Sequence, residues 1–103
     1  MSENKSFKFI ENEVKNNKVV LFMKGTKDMP ACGFSSKVVT ILNKLGVEFQ
    51  DINVLSDPEL RDALKIFSDW PTFPQLYING ELVGGCDIVV ELYSNGELEK
   101  MLK

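Results

Sequence analysis

The run KVVLFM from Lys18 to Met23 is short, rich in β-branched residues and apolar on both of the faces a strand presents. Neither face of such a strand can rest against water, so the run predicts the middle of a sheet covered by helices on both sides. The flanking sequence supplies the cover. Phe7, Ile10 and Val14 recur at helical spacing in an otherwise polar stretch and predict a surface helix. Phe34, Val38, Ile41, Leu42 and Leu45 mark the buried stripe of a second helix, which stops at Gly46.

Val47 to Val54 alternates apolar and polar side chains and predicts a half-buried strand. Ser56-Asp57-Pro58-Glu59 then announces a helix, with Ser56 placed to cap and Glu59 to reach back. Its buried stripe is Leu60, Ala63, Leu64 and Phe67, and it ends before Trp70-Pro71. Gln75 to Ile78 and Glu81 to Val83 flank Asn79-Gly80, the favoured pair for a two-residue hairpin turn, so these strands are antiparallel neighbours. Asp87 is positioned to cap a final helix carrying Ile88, Val89, Leu92 and Tyr93, and Asn95-Gly96 bends it into a last short turn. The order helix, strand, helix, strand, helix, hairpin, helix predicts an α/β fold with a four-stranded mixed sheet flanked by helices on both faces.

With 103 residues, no internal repeat and no Pro-, Gly- or Ser-rich linker, residues 1–103 read as one domain. A hydrophobic fraction of 44% beside 26% charged residues excludes a disordered chain. The net charge of -3 provides no long-range attraction to phosphate backbones or anionic lipid, so neither nucleic acid nor a membrane is an expected partner. No apolar run approaches the roughly 18 residues of a spanning helix, and the N-terminal stretch has no secretory h-region. The expectation is an intracellular protein, cytoplasmic as written and mitochondrial matrix if a transit segment has been removed.

Cys32-Gly33-Phe34-Ser35 is the most informative stretch. It sets a thiol where unpaired backbone N–H groups and the positive end of a helix dipole converge, an environment that favours thiolate. Thiolate is both the nucleophile and the metal ligand. Gly33 permits close approach, and Lys24 at the end of the first strand can add a cation beside the sulfur. Ser35 stands where a C-x-x-C motif has its second thiol, so no resolving cysteine lies in that turn. Cys86 can resolve only if the fold brings it to Cys32. The chain has no histidine, which excludes Cys-His hydrolase machinery and His-containing metal sites. Its two cysteines cannot complete a four-thiolate centre, so any such centre recruits ligands from outside the monomer.

CGFS at 32–35, WPTFPQLYINGELVGGCDI from Trp70 to Ile88, MKGT at 23–26 and DPELR at 57–61 together resemble a CGFS-type monothiol glutaredoxin over nearly all of the chain from Lys18 onward. The resemblance implies the thioredoxin-like fold. It implies a cis bond before Pro74, with Phe73 offering its backbone to glutathione. Lys24, Arg61 and Lys65 match the family's basic positions, and Gly85, Cys86 and Asp87 match the segment that grips the γ-glutamyl end. Arg61 and Lys65 lie one helical turn apart and can serve one carboxylate region. Phe34 and Trp70 are expected to pack around the site.

The resemblance also implies a 2Fe-2S cluster held by Cys32 of two subunits and the thiols of two glutathione molecules, giving a cluster-bridged homodimer and an apo monomer. Iron-sulfur scaffolds, recipient apoproteins and BolA-like proteins are the partners it implies. Two functions from different classes follow. The first is a carrier that receives and delivers a cluster. The second is an oxidoreductase in which Cys32 attacks glutathionylated proteins and a second glutathione resolves the adduct.

Overall fold

The computed structural model describes residues 2–103. Helix α1 (Ser2–Asn16) leads into strand β1 (Val19–Met23), helix α2 (Gly33–Lys44), strand β2 (Gln50–Asn53), helix α3 (Pro58–Ser68), the hairpin β3 (Gln75–Ile78) and β4 (Glu81–Gly84), then helices α4 (Cys86–Ser94) and α5 (Glu97–Met101). The sheet runs β2-β1-β3-β4. β1 is parallel to β2 and antiparallel to β3, and β3 is antiparallel to β4, so the sheet is mixed as expected. Among the described residues no helix is long and apolar enough to cross a membrane.

All five residues of β1 and all four of β3 are buried. Alternation along β1 sends Val19, Leu21 and Met23 into one core, with Val38 and Leu42 of α2 and Val89 of α4. Val20 and Phe22 enter the other, with Ile10 and Val14 of α1 and Leu60 and Leu64 of α3. Leu21, Phe22 and Leu64 are fully buried, each contributing about 1.5–3 kcal/mol of transfer free energy. The hairpin turn needs positive φ at both central residues, which Asn79 and Gly80 adopt at 53° and 81°.

Several local expectations are corrected. The second strand does not span Val47 to Val54: only Gln50–Asn53 pairs with β1, and Val54–Ser56 curls into a 3₁₀ turn because the Asn53 side chain accepts the Leu55 N–H at 2.9 Å. Ser56 does not cap α3. Asp57 does, accepting the Leu60 N–H at 3.1 Å with Pro58 in the first turn, where its missing N–H costs nothing. Asp87 does not cap α4, whose cap is Gly85. It lies instead in the first turn, where its charge still suits the helix dipole. Phe34 was expected in the α2 core but is 62% exposed, and Ser35 is the buried residue of that first turn. Phe67 and Tyr93 likewise remain partly exposed at 38% and 36%.

Candidate functional site

Cys32 is the cap residue of α2, its backbone extended at φ -146° and ψ 136°. It comes there by a tight path. Thr26 N–H donates to the Met29 carbonyl at 3.2 Å, Met29 N–H returns to Thr26 at 3.1 Å, and Ala31 N–H closes on the Lys24 carbonyl at 2.9 Å. Asn53 Oδ1 accepts the Gly25 N–H at 3.0 Å, and Asp51 Oδ2 accepts the Lys27 N–H at 2.8 Å, tying the turn to β2. The Ser35 hydroxyl, fully buried, accepts the Lys24 N–H at 3.1 Å and fastens the start of α2 to the end of β1. The residue in the second-thiol position of a C-x-x-C motif is therefore a structural tie.

The neutral Cys32 thiol makes no capping hydrogen bond. Ser35 N–H nevertheless faces the sulfur closely enough to pull its pKa below the ordinary thiol value, opposed by partial burial and assisted by Phe34 N–H and then by Lys24. The sequence-based expectation for Lys24 holds, though it is the weakest of these influences. Cys86, at the start of α4, moves the other way. Burial raises its pKa, Lys37 lowers it, and Asp87 and Cys32 raise it further. Both thiols are free, and Cys86 lies within reach of the Cys32 charge.

These opposite shifts set a pH prediction. A lowered folded-state pKa means Cys32 holds fewer protons folded than unfolded, so its contribution to stability is present above the unfolded pKa and is lost as pH falls through the folded one. Cys86 contributes below its unfolded pKa and loses that contribution as pH rises through its folded value. Iodoacetamide labelling, read by peptide mass, is expected to modify Cys32 with a midpoint below the roughly 8.5 of a free thiol, and Cys86 only above it. Equal labelling of the two across that range would contradict the geometry.

At the first turn of α2 lies a cleft of about 260 Å³ lined by Phe34, Trp70, Thr72, Phe73, Gly85, Cys86, Asp87 and Ile88, while Cys32 and Lys24 do not themselves line it. The fold thus gathers five of the expected residues, Phe34, Phe73, Gly85, Cys86 and Asp87, from α2, the loop before β3 and the start of α4. The Phe73–Pro74 bond is cis. Pro74 is buried behind the cleft wall, its carbonyl close enough to Gly85 that an added Cβ would lie 3.3 Å away. Arg61 and Lys65 do not line the cleft. They sit one turn apart on α3, Arg61 half-buried with a buried Nε that has no partner among the described residues, and Lys65 exposed. Gly33 faces open space, with nothing of this chain near its Cα hydrogens.

Trp70 was expected to pack around the site, whereas Thr72 and Ile88 line the cleft without a signal that marked them beforehand. Thr72 lies within the T-F-P segment and Ile88 one residue beyond Asp87, so adjacency to residues already singled out was the only available cue. Among the described residues no group of three or more His, Cys, Asp or Glu converges. The cleft is partly apolar, and the Cys32 sulfur stands two residues before Phe34 of its wall.

The glutaredoxin family model matches residues 19–83. Over 103 residues, all of this chain and 99% of the relative, the chain is 79% identical to "Probable monothiol glutaredoxin 2" of Rickettsia felis. The solution structure of reduced apo GrxS14 from poplar shares 53% identity with a TM-score of 0.85, covering 97% of this chain and 93% of that one. A crystal structure of a buckwheat glutaredoxin–glutathione complex shares 28% identity with a TM-score of 0.88, covering 98% and 90%.

Proposed function

This chain belongs to the glutaredoxin family and groups with its monothiol members, and we propose that it binds glutathione in the Cys32 cleft and carries a 2Fe-2S cluster between two subunits. One observation carries the reading: a partly exposed thiol with a lowered pKa stands at a helix start, and among the described residues no group of three or more His, Cys, Asp or Glu side chains surrounds it. Cys86 is buried at the start of α4, where burial raises its thiol pKa and makes it the costlier of the two sulfurs to ionise. In this reading each chain supplies one thiolate, from Cys32. Two chains and two glutathione thiols make four, a complete shell for the cluster as cargo.

The cleft suits a peptide-like co-ligand. Phe73 brings a backbone edge, the N-terminus of α4 at Gly85, Cys86 and Asp87 brings free N–H groups, and Phe34 and Trp70 bring apolar walls. Lys24, Arg61 and Lys65 are assigned to the glutathione carboxylates at the rim. The buckwheat complex supports glutathione as the ligand. Because three of four cluster ligands come from outside each chain, the cluster is exchangeable, as delivery from a scaffold to recipient apoproteins requires. The bacterial relative supports a cytoplasmic setting, and no observation supports the mitochondrial alternative.

The general activity of the family, glutathione-dependent thiol-disulfide exchange, uses the same sulfur. Cys32 thiolate attacks the glutathione sulfur of a glutathionylated protein, a disulfide forms between Cys32 and glutathione, and the protein leaves as thiolate. A second glutathione thiolate then attacks that glutathione sulfur, releasing Cys32 thiolate and oxidised glutathione. With serine at position 35 no resolving thiol lies within the motif itself, so the second glutathione does the resolving in this scheme.

Anaerobic incubation with iron, sulfide and reduced glutathione is expected to yield a coloured dimer, followed by visible absorbance and by mass in solution. Omitting glutathione is expected to leave a colourless monomer. Equal cluster loading without glutathione would remove the proposal, and efficient turnover of a mixed disulfide by a protein that never loads a cluster would favour the oxidoreductase reading instead.

A further inference from the structure

Gln75 is fully buried in the central strand β3, paired in register with Phe22 of β1, at a place where an apolar side chain would pack without any polar cost. Its Nε2 donates to the Trp70 carbonyl at 3.0 Å and to the Thr72 carbonyl at 3.2 Å. Its Oε1 is buried with no partner among the described residues. The amide orientation is therefore decided by the two carbonyls, since the flipped amide would set its oxygen against both of them. A buried amide left half-paired is retained at a cost, and what it holds is the irregular Trp70–Phe73 segment that forms one wall of the cleft.

The other end of that segment is clamped as well. Trp70 N–H donates to the Ser68 hydroxyl at 3.1 Å, and that hydroxyl donates to the Leu64 carbonyl at 2.8 Å. Between them Asp69 takes a left-handed conformation at φ 53° to end α3. Trp70 is thus gripped at its N–H from α3 and at its carbonyl from β3. A loop wall without regular hydrogen bonding acquires the rigidity of the sheet behind it.

We infer that Gln75 is a positioning residue for the cleft: by turning the Trp70 and Thr72 carbonyls into the core it fixes the wall against which glutathione docks. The inference rests on the glutathione reading above. It does not involve Cys32, whose electrostatics come from the start of α2 and from Lys24.

The test compares wild type with Gln75→Met, which keeps the volume and removes both donors, and with Gln75→Glu, which keeps the shape should the first variant fold poorly. Leu98→Ala in α5 is the control for plain destabilisation, because Leu98 belongs to the core on the other face of the sheet. Reduced glutathione is titrated by calorimetry, and acrylamide quenching is read from Trp70, the chain's single tryptophan. Both Gln75 variants are expected to bind glutathione about tenfold more weakly and to quench more readily, with the Cys32 alkylation rate unchanged. Leu98→Ala is expected to bind as wild type does. Wild-type affinity in the Gln75 variants, or equal weakening in Leu98→Ala, would overturn the inference. Failure of the functional reading looks different: wild type itself would not bind glutathione, and unchanged Trp70 quenching in the variants would then dispose of the clamp as well.

Discussion

Cys32→Ser is expected to give a protein that folds at least as well as wild type and does neither kind of chemistry. Serine is among the preferred residues at a helix cap, whereas the cysteine here makes no capping hydrogen bond. A hydroxyl that accepts from the N–H groups now facing the sulfur gains α2 about 0.5–1 kcal/mol, seen as an unchanged or slightly higher melting temperature. The same oxygen is not ionised near neutral pH and is a poor iron ligand. Cluster loading should fall to background, and turnover of a glutathione mixed disulfide should fall on the order of 10³-fold or more. A Cys32→Ser protein that still loads iron and sulfide as a coloured dimer would place the centre elsewhere, and Cys86 would become the sulfur to examine.

Gly25→Ala is expected to be among the most damaging single-methyl additions available to this chain. Gly25 is buried at φ 90°, a conformation an L side chain rarely adopts, where the turn leaves β1 on the way to Cys32. A Cβ there would lie 2.6 Å from the Met29 carbonyl oxygen and closer still to the Ala31 nitrogen, both backbone atoms held in hydrogen bonds of their own. Neither can yield without releasing the Thr26–Met29 pair or the Ala31–Lys24 bond. Backbone strain and overpacking together should cost about 3 kcal/mol, lowering the melting temperature of a chain this size by roughly 10–20 °C. Because the turn delivers Cys32 to its place at the start of α2, the alkylation midpoint of Cys32 should also rise toward that of a free thiol. A shift in melting temperature of only about 2 °C would mean that the turn relaxes far more easily than its hydrogen bonding implies.

The two predictions separate the two things this fold does with one short stretch. At Cys32 chemistry is favoured over helix stability, since the better cap is the inert residue. At Gly25 and Ser35 stability serves the site, through a turn too tight for a side chain and a buried hydroxyl that ties β1 to α2.

Much of this was already decided along the chain. Period-two and period-3.6 hydrophobic patterns depend on neighbours a few residues apart, so KVVLFM read as a doubly covered strand, Asn79-Gly80 as a tight turn and Cys32 as a helix start before any contact was known. The limits of that reading are local competitions settled by geometry. The Asn53 side chain curled Val54–Ser56 out of the strand, and Asp57 rather than Ser56 met the free N–H groups of α3 because Pro58 fixed where that helix begins. What only the tertiary structure decided is which residues share a surface. Phe34 follows the stripe of α2 yet ends at the mouth of a cleft, Arg61 and Lys65 stay outside it, and Gln75 holds Trp70 from inside the sheet. Periodicity records which side of an element faces the core. Where three elements meet, the solvent boundary is set by their packing angles and by the path of irregular loops, and neither quantity is written in local sequence order.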